Sequence, residues 1–232
     1  MTDSLISVIM AVRNGERFLR QAIESVRAQT YRPLEIVFID GQSTDGTAEI
    51  ARSYKEVRYI RQENAGVSNA YNLGVETSRG ELIAFLSHDD FWTPDKLALQ
   101  AGYLNEHPEA DCVVARVKFF LETGCAFPST MREDVLEGDH PLRIPETLLA
   151  RRSVFDRVGL FDPEIPVASD MDWFARAADL GVAVPVLEKV LLHKRIHDRN
   201  TSVQAAENMR DMFDVLRRSS ARKRKAEQSR EK

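Results

Sequence analysis

Cysteine and long apolar runs are both scarce in this sequence, and each absence excludes a class of protein. Cys112 and Cys125 are the two cysteines, and their spacing does not form a Cys-x-x-Cys metal or redox motif. Nothing requires a disulfide, so a reducing cytoplasm is the expected location. No run approaches the roughly 18 to 20 apolar residues that cross a bilayer. The N-terminal MTDSLISVIMAV also lacks the basic start of a signal peptide, and it reads as a first strand.

An excess of positive charge is also missing over most of the chain. The 232 residues carry 32 Lys and Arg against 36 Asp and Glu, a net charge of -4, which argues against a nucleic-acid binder. Positive charge gathers only in residues 217–232, where eight Lys or Arg stand against two Glu, a net of +6. Such a tail suits peripheral contact with anionic lipid, although a solvated chain end is the favoured alternative.

The most informative segment is ELIAFLSHDDFWTP, at residues 81–94. Its apolar run, Leu82–Leu86, predicts a buried strand that stops abruptly at Ser-His-Asp-Asp. Open α/β sheets bind their ligands at the carboxyl ends of strands. Adjacent acids in such a place are costly unless a positive group neutralises them, and a divalent cation carrying a diphosphate would do so. The segment therefore predicts phosphate-linked chemistry.

Strand-like and helix-like segments alternate through the first half of the chain. Strands are expected at Leu5–Val12, Leu34–Ile39, Val57–Ile60 and Leu82–Leu86, and helices from Phe18, over Thr44–Tyr54, over Val67–Thr77 and after a Thr93 cap with Pro94 at the first helical position. This alternation predicts a mostly parallel sheet covered by helices on both faces. Asn14, Asp40 and Asp89 follow successive strands, so they are expected to share one crevice.

The second half is less regular. We expect a strand over Asp111–Phe120, a loop over Glu122–Pro145, helices over Glu146–Val158 and Asp170–Leu180, and an edge strand over Val182–Leu192 that contains Pro185. A terminal helix is expected from Val203 to about Lys225. Its helical spacing of apolar residues predicts that one face packs on the domain, the face of Met209, Met212, Phe213 and Leu216.

Five segments resemble, in order, the motifs of the family 2 glycosyltransferases. They are SVIMAVRNGERFLRQAIESVRAQTY, LEIVFIDGQSTDGT, ENAGVSNAYNLGVETSRGELIAFLSHDD, LFDPEIPVASDMDWFARAADLG and HKRIHDRNTS. The resemblance covers roughly residues 4–202 and implies the α/β GT-A fold, with a single Rossmann-like sheet flanked by helices. It divides the chain into a glycosyltransferase domain, 1–202, and a C-terminal helix with a basic tail, 203–232.

The resemblance also implies a set of donor-binding residues. They are Ala11, Val12, Asn14, Glu16, Asp40, Asn72, His88, Asp89 and Arg195. Asp40 would accept a hydrogen bond from the uracil ring or the ribose, and capping the turn after its strand is the alternative. For Asn72, a place on a helix surface is an equal alternative. The family often has a second acid where this chain has Gly41, and an Arg where it has Tyr71.

A metal site and a catalytic base follow from the same resemblance. It implies Mg²⁺ or Mn²⁺ bound by Asp89, Asp90 and His197, although Ser87 replaces the first acid of the family's Asp-x-Asp motif. For Asp90, a charge that favours a helix start is an equal alternative. Asp170 matches the Asp of the family's Glu-Asp pair and would take the proton of the acceptor hydroxyl. Together with His197, Arg195 would support the leaving diphosphate.

These expectations describe a metal-dependent, inverting glycosyltransferase. It would move a sugar from a nucleotide-diphosphate donor, most simply a UDP-sugar, to a saccharide, lipid-linked or protein acceptor in cell-surface polysaccharide or glycoconjugate synthesis. A sugar nucleotidyltransferase is one alternative, but the loop AVRNGER lacks the glycine pattern of that class. A degenerate nucleotide-binding module is the other, because Gly41, Tyr71, Ser87 and Ser169 all depart from the family pattern.

Overall fold

The computed structural model describes residues 4–200 and 205–230, and it shows a mixed α/β fold. The strands are β1 (Ile6–Val12), β2 (Leu34–Asp40), β3 (Val57–Arg61), β4 (Leu82–Phe85), β5 (Phe91–Trp92), β6 (Cys112–Leu121), β7 (Leu149–Arg151) and β8 (Val186–Ile196). The helices are α1 (Leu19–Arg27), α2 (Thr47–Arg52), α3 (Val67–Thr77), α4 (Lys96–Glu106), α5 (Ser153–Val158), α6 (Ser169–Asp179) and α7 (Ala205–Arg230).

The strands of the described residues form one sheet in the order β3-β2-β1-β4-β7-β6-β8-β5. The first four of these pair in parallel, with β1 between β2 and β4. Next, β7 lies antiparallel between β4 and β6, while β8 runs parallel to β6 and antiparallel to β5. The parallel half is the predicted Rossmann-like unit, and the carboxyl ends of β1, β2 and β4 meet at one edge.

The apolar residues of β1 alternate between two cores, because successive strand side chains point to opposite faces. On one face, Val8 and Met10 pack with Ile23 of α1. On the other, Ile9 packs with residues of α3. A β-carbon at Gly74 of α3 would lie 2.3 Å from an Ile9 methyl carbon, so this helix approaches the strand as closely as it does only because position 74 is glycine.

The prediction of one helix over Glu146–Val158 is wrong. The chain instead makes a single 3₁₀ turn at Pro145–Thr147, then β7, then the short helix α5. Leu149 pairs with Ala84 of β4 on one side and with Val113 of β6 on the other. Ladder bonds to two neighbouring strands outweigh the helical spacing of the apolar residues, as tertiary context often does.

Two smaller boundaries also differ from their predictions. The helix after the acidic segment begins at Lys96 rather than Pro94, and the Thr93 hydroxyl bonds to the Asp95 carboxylate instead of capping the helix. The predicted edge strand begins at Val186, after Pro185, and it is not an edge, since β6 and β5 flank it. The expected loop after Leu121 is largely irregular, with one 3₁₀ turn at Glu133–Leu136.

The basic C-terminal segment is helical, and it docks on α6. The buried residue of its inner face is Val215, which packs with Ile165 and Ala168. The predicted packing face is wrong, because Phe213 and Leu216 are exposed. Residues 201–204, which include the predicted domain boundary and the expected helix start, lie outside the described residues, as does the side chain of Met209. Within the described part of the chain, no helix is long and apolar enough to cross a membrane.

Candidate functional site

A cavity of about 300 Å³ opens at the carboxyl ends of β1, β2 and β4. It is lined by Ala11, Val12, Arg13, Gly41, Gln62, Gly66, Val67, Ala70, Tyr71, Ser87, His88 and Asp89. Four predicted donor-binding residues therefore line one cavity: Ala11, Val12, His88 and Asp89. Gln62 and the first turn of α3 form a wall of the cavity that was not among the predicted site residues. A signal for it was available in Asn64-Ala65-Gly66, since Gly66 adopts a φ of 108° just before that helix.

Asn14 and Glu16 brace the loops after β1 and β2 and are absent from the cavity lining. The Asn14 side-chain oxygen accepts the backbone N–H of Thr44 at 2.9 Å. A Glu16 carboxylate oxygen accepts that of Gly46 at 2.7 Å. Their geometry differs from the predicted direct contact with the donor, because their polar atoms point across to the second loop. The two loops thus hold each other at the edge of the cavity.

Gly15 lets the first loop touch the acidic segment. A β-carbon there would lie 2.7 Å from Cγ of His88, a clash that any side chain would bring. The imidazole of His88 is enclosed as a result, and burial lowers its pKa. A neutral His88 therefore lines the cavity beside Asp89.

Asp40 is engaged by its own protein neighbours. One carboxylate oxygen accepts the backbone N–H of Ser43 at 2.9 Å, and the other accepts the hydroxyl of Tyr59. The side chain is buried and does not line the cavity. Asp40 thus caps the turn after its strand, and its contact with the uracil ring or the ribose stays a prediction.

Asn72 is bonded through its side chain to Phe161 and is absent from the cavity lining. Its amide nitrogen donates to the Phe161 carbonyl at 2.8 Å, and its side-chain oxygen accepts the Phe161 N–H at 2.9 Å. This pair of bonds ties α3 to the segment before α6. Asn72 thus braces α3, and its contact with the donor stays a prediction.

Asp89 is held at the cavity by the loop after β8. Its Oδ2 lies 3.1 Å from Nε2 of His197 and accepts the Asn200 side-chain amide at 3.2 Å. Burial opposes the charge of Asp89. The hydrogen bond from His197 and the nearby charge of Lys194 outweigh burial and hold the pKa of Asp89 well below its usual range. Asp89 is thus a carboxylate at neutral pH.

Hydrogen bonding fixes the tautomer of His197. Its Nδ1 accepts the backbone N–H of Arg199 at 3.1 Å, so the ring proton lies on Nε2, which faces Asp89. A metal ligand needs a lone pair on Nε2. With these bonds in place, His197 orients Asp89 and does not fit the predicted role of metal ligand.

Asp90 does not fit that role either. Its Oδ2 lies 2.8 Å from the Lys194 ammonium, and its Oδ1 accepts the backbone N–H of Arg195 at 2.9 Å. The residue is 1% exposed. Burial raises the pKa of Asp90 to about 7, with the charges of Asp89 and Glu146 adding to it against the attraction of Lys194. Asp90 fastens the acidic segment to β8.

Arg195 acts from behind the acidic segment. Its guanidinium donates to the Asp89 carbonyl at 2.9 Å and to the side chains of Glu122 and Gln21. It also stacks over the Phe18 ring, 4.3 Å from the centroid. With these donors engaged and the side chain buried, Arg195 positions Asp89, and its support of the leaving diphosphate stays a prediction.

Asp170 is the second residue of α6 and lies beside the cavity wall. Its Oδ1 accepts the backbone N–H of Met171 at 2.8 Å. Burial raises the pKa of Asp170 to about 6; the charge of Glu146 adds to the rise, and that of Lys194 opposes it. Burial raises the pKa of Tyr71, which lines the cavity, and the charges of Glu146 and Asp170 add to the rise. An acid with such a pKa suits proton transfer near neutral pH.

Lys194 is a cation that four acids share: Asp89, Asp90, Glu146 and Asp170. Its charge favours the ionised form of each acid whose pKa is shifted. In return, the carboxylates outweigh burial and raise the pKa of Lys194, which stays charged. Lys96 is a second lysine that interacts with Glu146, although burial lowers its pKa. The four acids outnumber the two lysines, so the site has an excess of negative charge. A bound divalent cation would relieve that excess.

The donor set fits a cation that arrives with a diphosphate. Of the three predicted metal ligands, Asp89 is the one that lines the cavity. Within the part of the chain that the structure describes, no cluster of three or more His, Cys, Asp or Glu side chains could enclose a metal. Mg²⁺ is commonly held by one or two carboxylates, with phosphate oxygens and water completing the octahedron. A cation held by this protein alone does not fit.

Sequence comparison places the chain among glycosyltransferases. The family model described as Glycosyl transferase family 2 matches residues 7–159, more than half of the chain. An uncharacterized glycosyltransferase of Rickettsia typhi is 31% identical over 225 residues, which cover 91% of this chain and 70% of the relative. The putative glycosyltransferase EpsH of Bacillus subtilis is 29% identical over 219 residues, covering 85% and 62%.

Solved structures share the fold. S. aureus TarS 1–349 in complex with UDP-GlcNAc matches with a TM-score of 0.75 at 21% identity, over 94% of this chain and 66% of that one. The mannosyltransferase PcManGT from Pyrobaculum calidifontis, in complex with GDP-Man and Mn²⁺, matches with a TM-score of 0.73 at 18% identity, over 95% and 65%. The chain thus spans slightly less than two thirds of these proteins. The likeness confirms the predicted α/β GT-A fold.

Proposed function

Because the chain belongs to glycosyl transferase family 2, a family of sugar-transferring enzymes, we propose that it transfers a sugar from a nucleotide-diphosphate donor to an acceptor hydroxyl with inversion. The observation that carries the proposal is an ionised Asp89 at a cavity on the carboxyl edge of parallel strands. A UDP-sugar is the proposed donor. UDP-GlcNAc in TarS and GDP-Man in PcManGT support the donor class, since both proteins share the fold.

In this proposal, Asp89 binds Mg²⁺ or Mn²⁺ together with the donor diphosphate. The bound ion supplies positive charge that stabilises the negative charge formed on the leaving diphosphate. His197 and Asn200 hold the carboxylate in place, and Arg195 holds its backbone. The Mn²⁺ in the PcManGT complex supports the choice of ion.

Asp170 is the proposed catalytic base. The acceptor oxygen forms a bond to the anomeric carbon as the bond from that carbon to the diphosphate oxygen breaks, and the acceptor proton passes to Asp170. The nucleoside diphosphate leaves with the electron pair, and one displacement inverts the anomeric centre. A pKa of about 6 keeps Asp170 ionised at neutral pH yet more basic than an ordinary aspartate.

The acceptor is proposed only by class. It is a saccharide, lipid-linked or protein hydroxyl in polysaccharide or glycoconjugate synthesis. The largely irregular segment from Glu122 to Pro145 leads into the turn that carries Glu146, and we propose that it borders the acceptor site.

Calorimetric titration of UDP, GDP and dTDP, each with and without Mn²⁺, tests the donor site. We expect metal-dependent binding of UDP that Asp89→Ala abolishes. Asp156→Ala is the matched control, because Asp156 is an exposed aspartate on α5. Binding of none of the three nucleotides would contradict the proposal.

Turnover separates the remaining alternatives. With a UDP-sugar and a panel of acceptors, transfer releases UDP, whereas a sugar nucleotidyltransferase releases pyrophosphate. UDP binding without hydrolysis or transfer on any acceptor would favour the degenerate module.

A further inference from the structure

Glu146 is a buried acid that the mechanism above does not use. Its side chain is among the buried polar groups of the core, with the residue 6% exposed. One carboxylate oxygen, Oε1, accepts the hydroxyl of Ser87 and lies 3.9 Å from the Lys194 ammonium. Burying a carboxylate is costly unless its partners compensate. The fold nevertheless places this acid directly behind a residue that lines the donor cavity.

The backbone around Glu146 is fixed from two sides. Its carbonyl accepts the indole N–H of Trp92 at 3.0 Å. The neighbouring Thr147 hydroxyl bonds to the carbonyls of Leu142 and Ile144, both at 2.9 Å. The next residues form β7, which pairs with β4, the strand that leads into Ser87. Glu146 therefore holds a set position relative to the acidic segment.

Ser87 stands where the resembled motif has its first acid, and Glu146 contacts the hydroxyl at that position. A serine hydroxyl carries one proton and two lone pairs. Ser87 also hydrogen-bonds with the Tyr71 side chain. When the Ser87 proton is directed to Glu146, one lone pair faces Tyr71 and the other is left for the cavity side. The pair of residues together presents a negatively polarised oxygen to the cavity, which a serine alone would not do.

We infer that Glu146 is a positioning residue for donor binding: it supplies from a neighbouring turn the negative charge that position 87 lacks, and it orients Ser87 to accept a hydrogen bond from a donor hydroxyl. The inference rests on the proposed function. Lys194 completes the arrangement. Its ammonium lies 2.8 Å from Asp90 and 3.9 Å from Glu146, so it links Glu146 to the acidic segment.

A double-mutant cycle on UDP binding tests the inference. Glu146→Gln removes the charge with little change of shape, and we expect it to weaken UDP binding about 10-fold, within the range of measured couplings between contacting residues. Ser87→Asp alone sets two carboxylates side by side and should also weaken binding. The two changes together return a single carboxylate to position 87, so we expect UDP affinity within about 3-fold of the wild-type value.

A purely structural role for Glu146 gives a different result. In that case the double variant binds UDP no better than the weaker single variant, and this outcome overturns the inference while leaving the donor site intact. Glu106→Gln, an exposed change at the end of α4, is the matched control and should bind UDP as the wild type does. Failure of the wild-type protein to bind either UDP or GDP overturns the proposed function and the inference together.

Folding of the variants is checked by circular dichroism and thermal unfolding. If Glu146→Gln does not fold, UDP binding by Ser87→Ala tests the inference instead. This variant removes the accepting oxygen and leaves Glu146 in place. We then expect about 10-fold weaker UDP binding by Ser87→Ala. Unchanged affinity in this variant overturns the inference.

Discussion

Ionisation of Asp170 lowers the free energy of unfolding. The pKa of the folded-state carboxyl, about 6, lies above its usual value because burial and the charge of Glu146 disfavour the anion. The folded protein therefore binds this proton more tightly than the unfolded chain does. The contribution of Asp170 to the stability of the fold is full below the unfolded pKa, near 4, and is lost as the pH rises through about 6.

Asp170→Asn should separate activity from stability. The amide cannot take the acceptor proton, so we expect the transfer rate to fall at least about 100-fold, while UDP affinity stays within a few-fold. In the wild type, the rate should rise with pH through about 6. Near pH 7 the variant should melt at a higher temperature than the wild type, because it no longer ionises at a partly buried position.

The pH–rate profile of the wild type and the melting curves of both proteins check this prediction. Asp156→Asn, on the exposed face of α5, is the control for loss of an aspartate. A variant that retains the wild-type rate, or a wild-type rate that is flat from pH 5 to 8, contradicts the role of Asp170 as base.

A site residue could be predicted from the sequence where a motif marks its position. It could not be predicted where its contact is with a residue distant along the chain. Asp89 follows a strand whose end could be predicted, and the cavity does lie there. Glu146 lies 59 positions from Ser87, on a turn without a motif. The partners of Arg195 could not be predicted for the same reason, because Gln21 and Glu122 come from distant segments.

At the scale of elements, α7 is joined to the helix that carries Asp170. The guanidinium of Arg222 lies 2.8 Å from Asp179 of α6, and that of Arg218 lies 2.7 Å from Asp162. The backbone N–H of Val167, just before α6, donates to Asp211 at 2.9 Å. Part of the basic tail thus neutralises acids of the domain. These ion pairs could not be predicted from the net charge of +6, because a net charge does not identify the acids that contact the tail.

Arg222→Ala should destabilise the fold and slow transfer. Without it, the largely buried Asp179 loses a partner, and we expect a loss of about 1 kcal/mol or more. This corresponds to a melting temperature lower by about 2–4 °C for a chain of this size. Because α6 also carries Asp170, kcat should fall more than UDP affinity does.

Arg217→Ala is the matched control on the same helix. Arg217 is exposed and pairs with Asp214 within α7, so its loss should change stability by less than about 0.5 kcal/mol. Thermal unfolding and transfer assays of the two variants make the comparison. Equal melting temperatures would show that α7 does not support α6 through this contact.

Whole elements could be predicted from the sequence where local pattern and tertiary pairing agree. The helix over Val67–Thr77 has its predicted bounds, and β1, β2 and β3 agree with prediction to within a residue at either end. Prediction failed where pairing overrides pattern: β7 exists because Leu149 bonds to strands on both sides, and β5 because Trp92 pairs with Leu192 of β8. These pairings join segments that are distant along the chain.

At the scale of the whole molecule, nucleotide and metal should stabilise the fold together. Loops from β1, β2 and β4 meet at the cavity, and the loop after β8 holds Asp89 from outside it. A ligand that binds there contacts several parts of the fold at once. Binding to the folded state alone stabilises it by about 2.7 kcal/mol at a ligand concentration 100 times its Kd.

We therefore expect UDP with Mn²⁺, at 100 times the Kd, to raise the melting temperature by about 5–10 °C. Mn²⁺ alone should change the melting temperature little, because Asp89 is the one predicted metal ligand that lines the cavity. Oxygens of the diphosphate would supply further ligands to the ion. Asp89→Asn should lose most of the combined shift, whereas Asp156→Asn should keep it. A large shift with Mn²⁺ alone that survives Asp89→Asn would place the metal elsewhere on the molecule and contradict the arrangement in which Asp89 and the diphosphate share one cation.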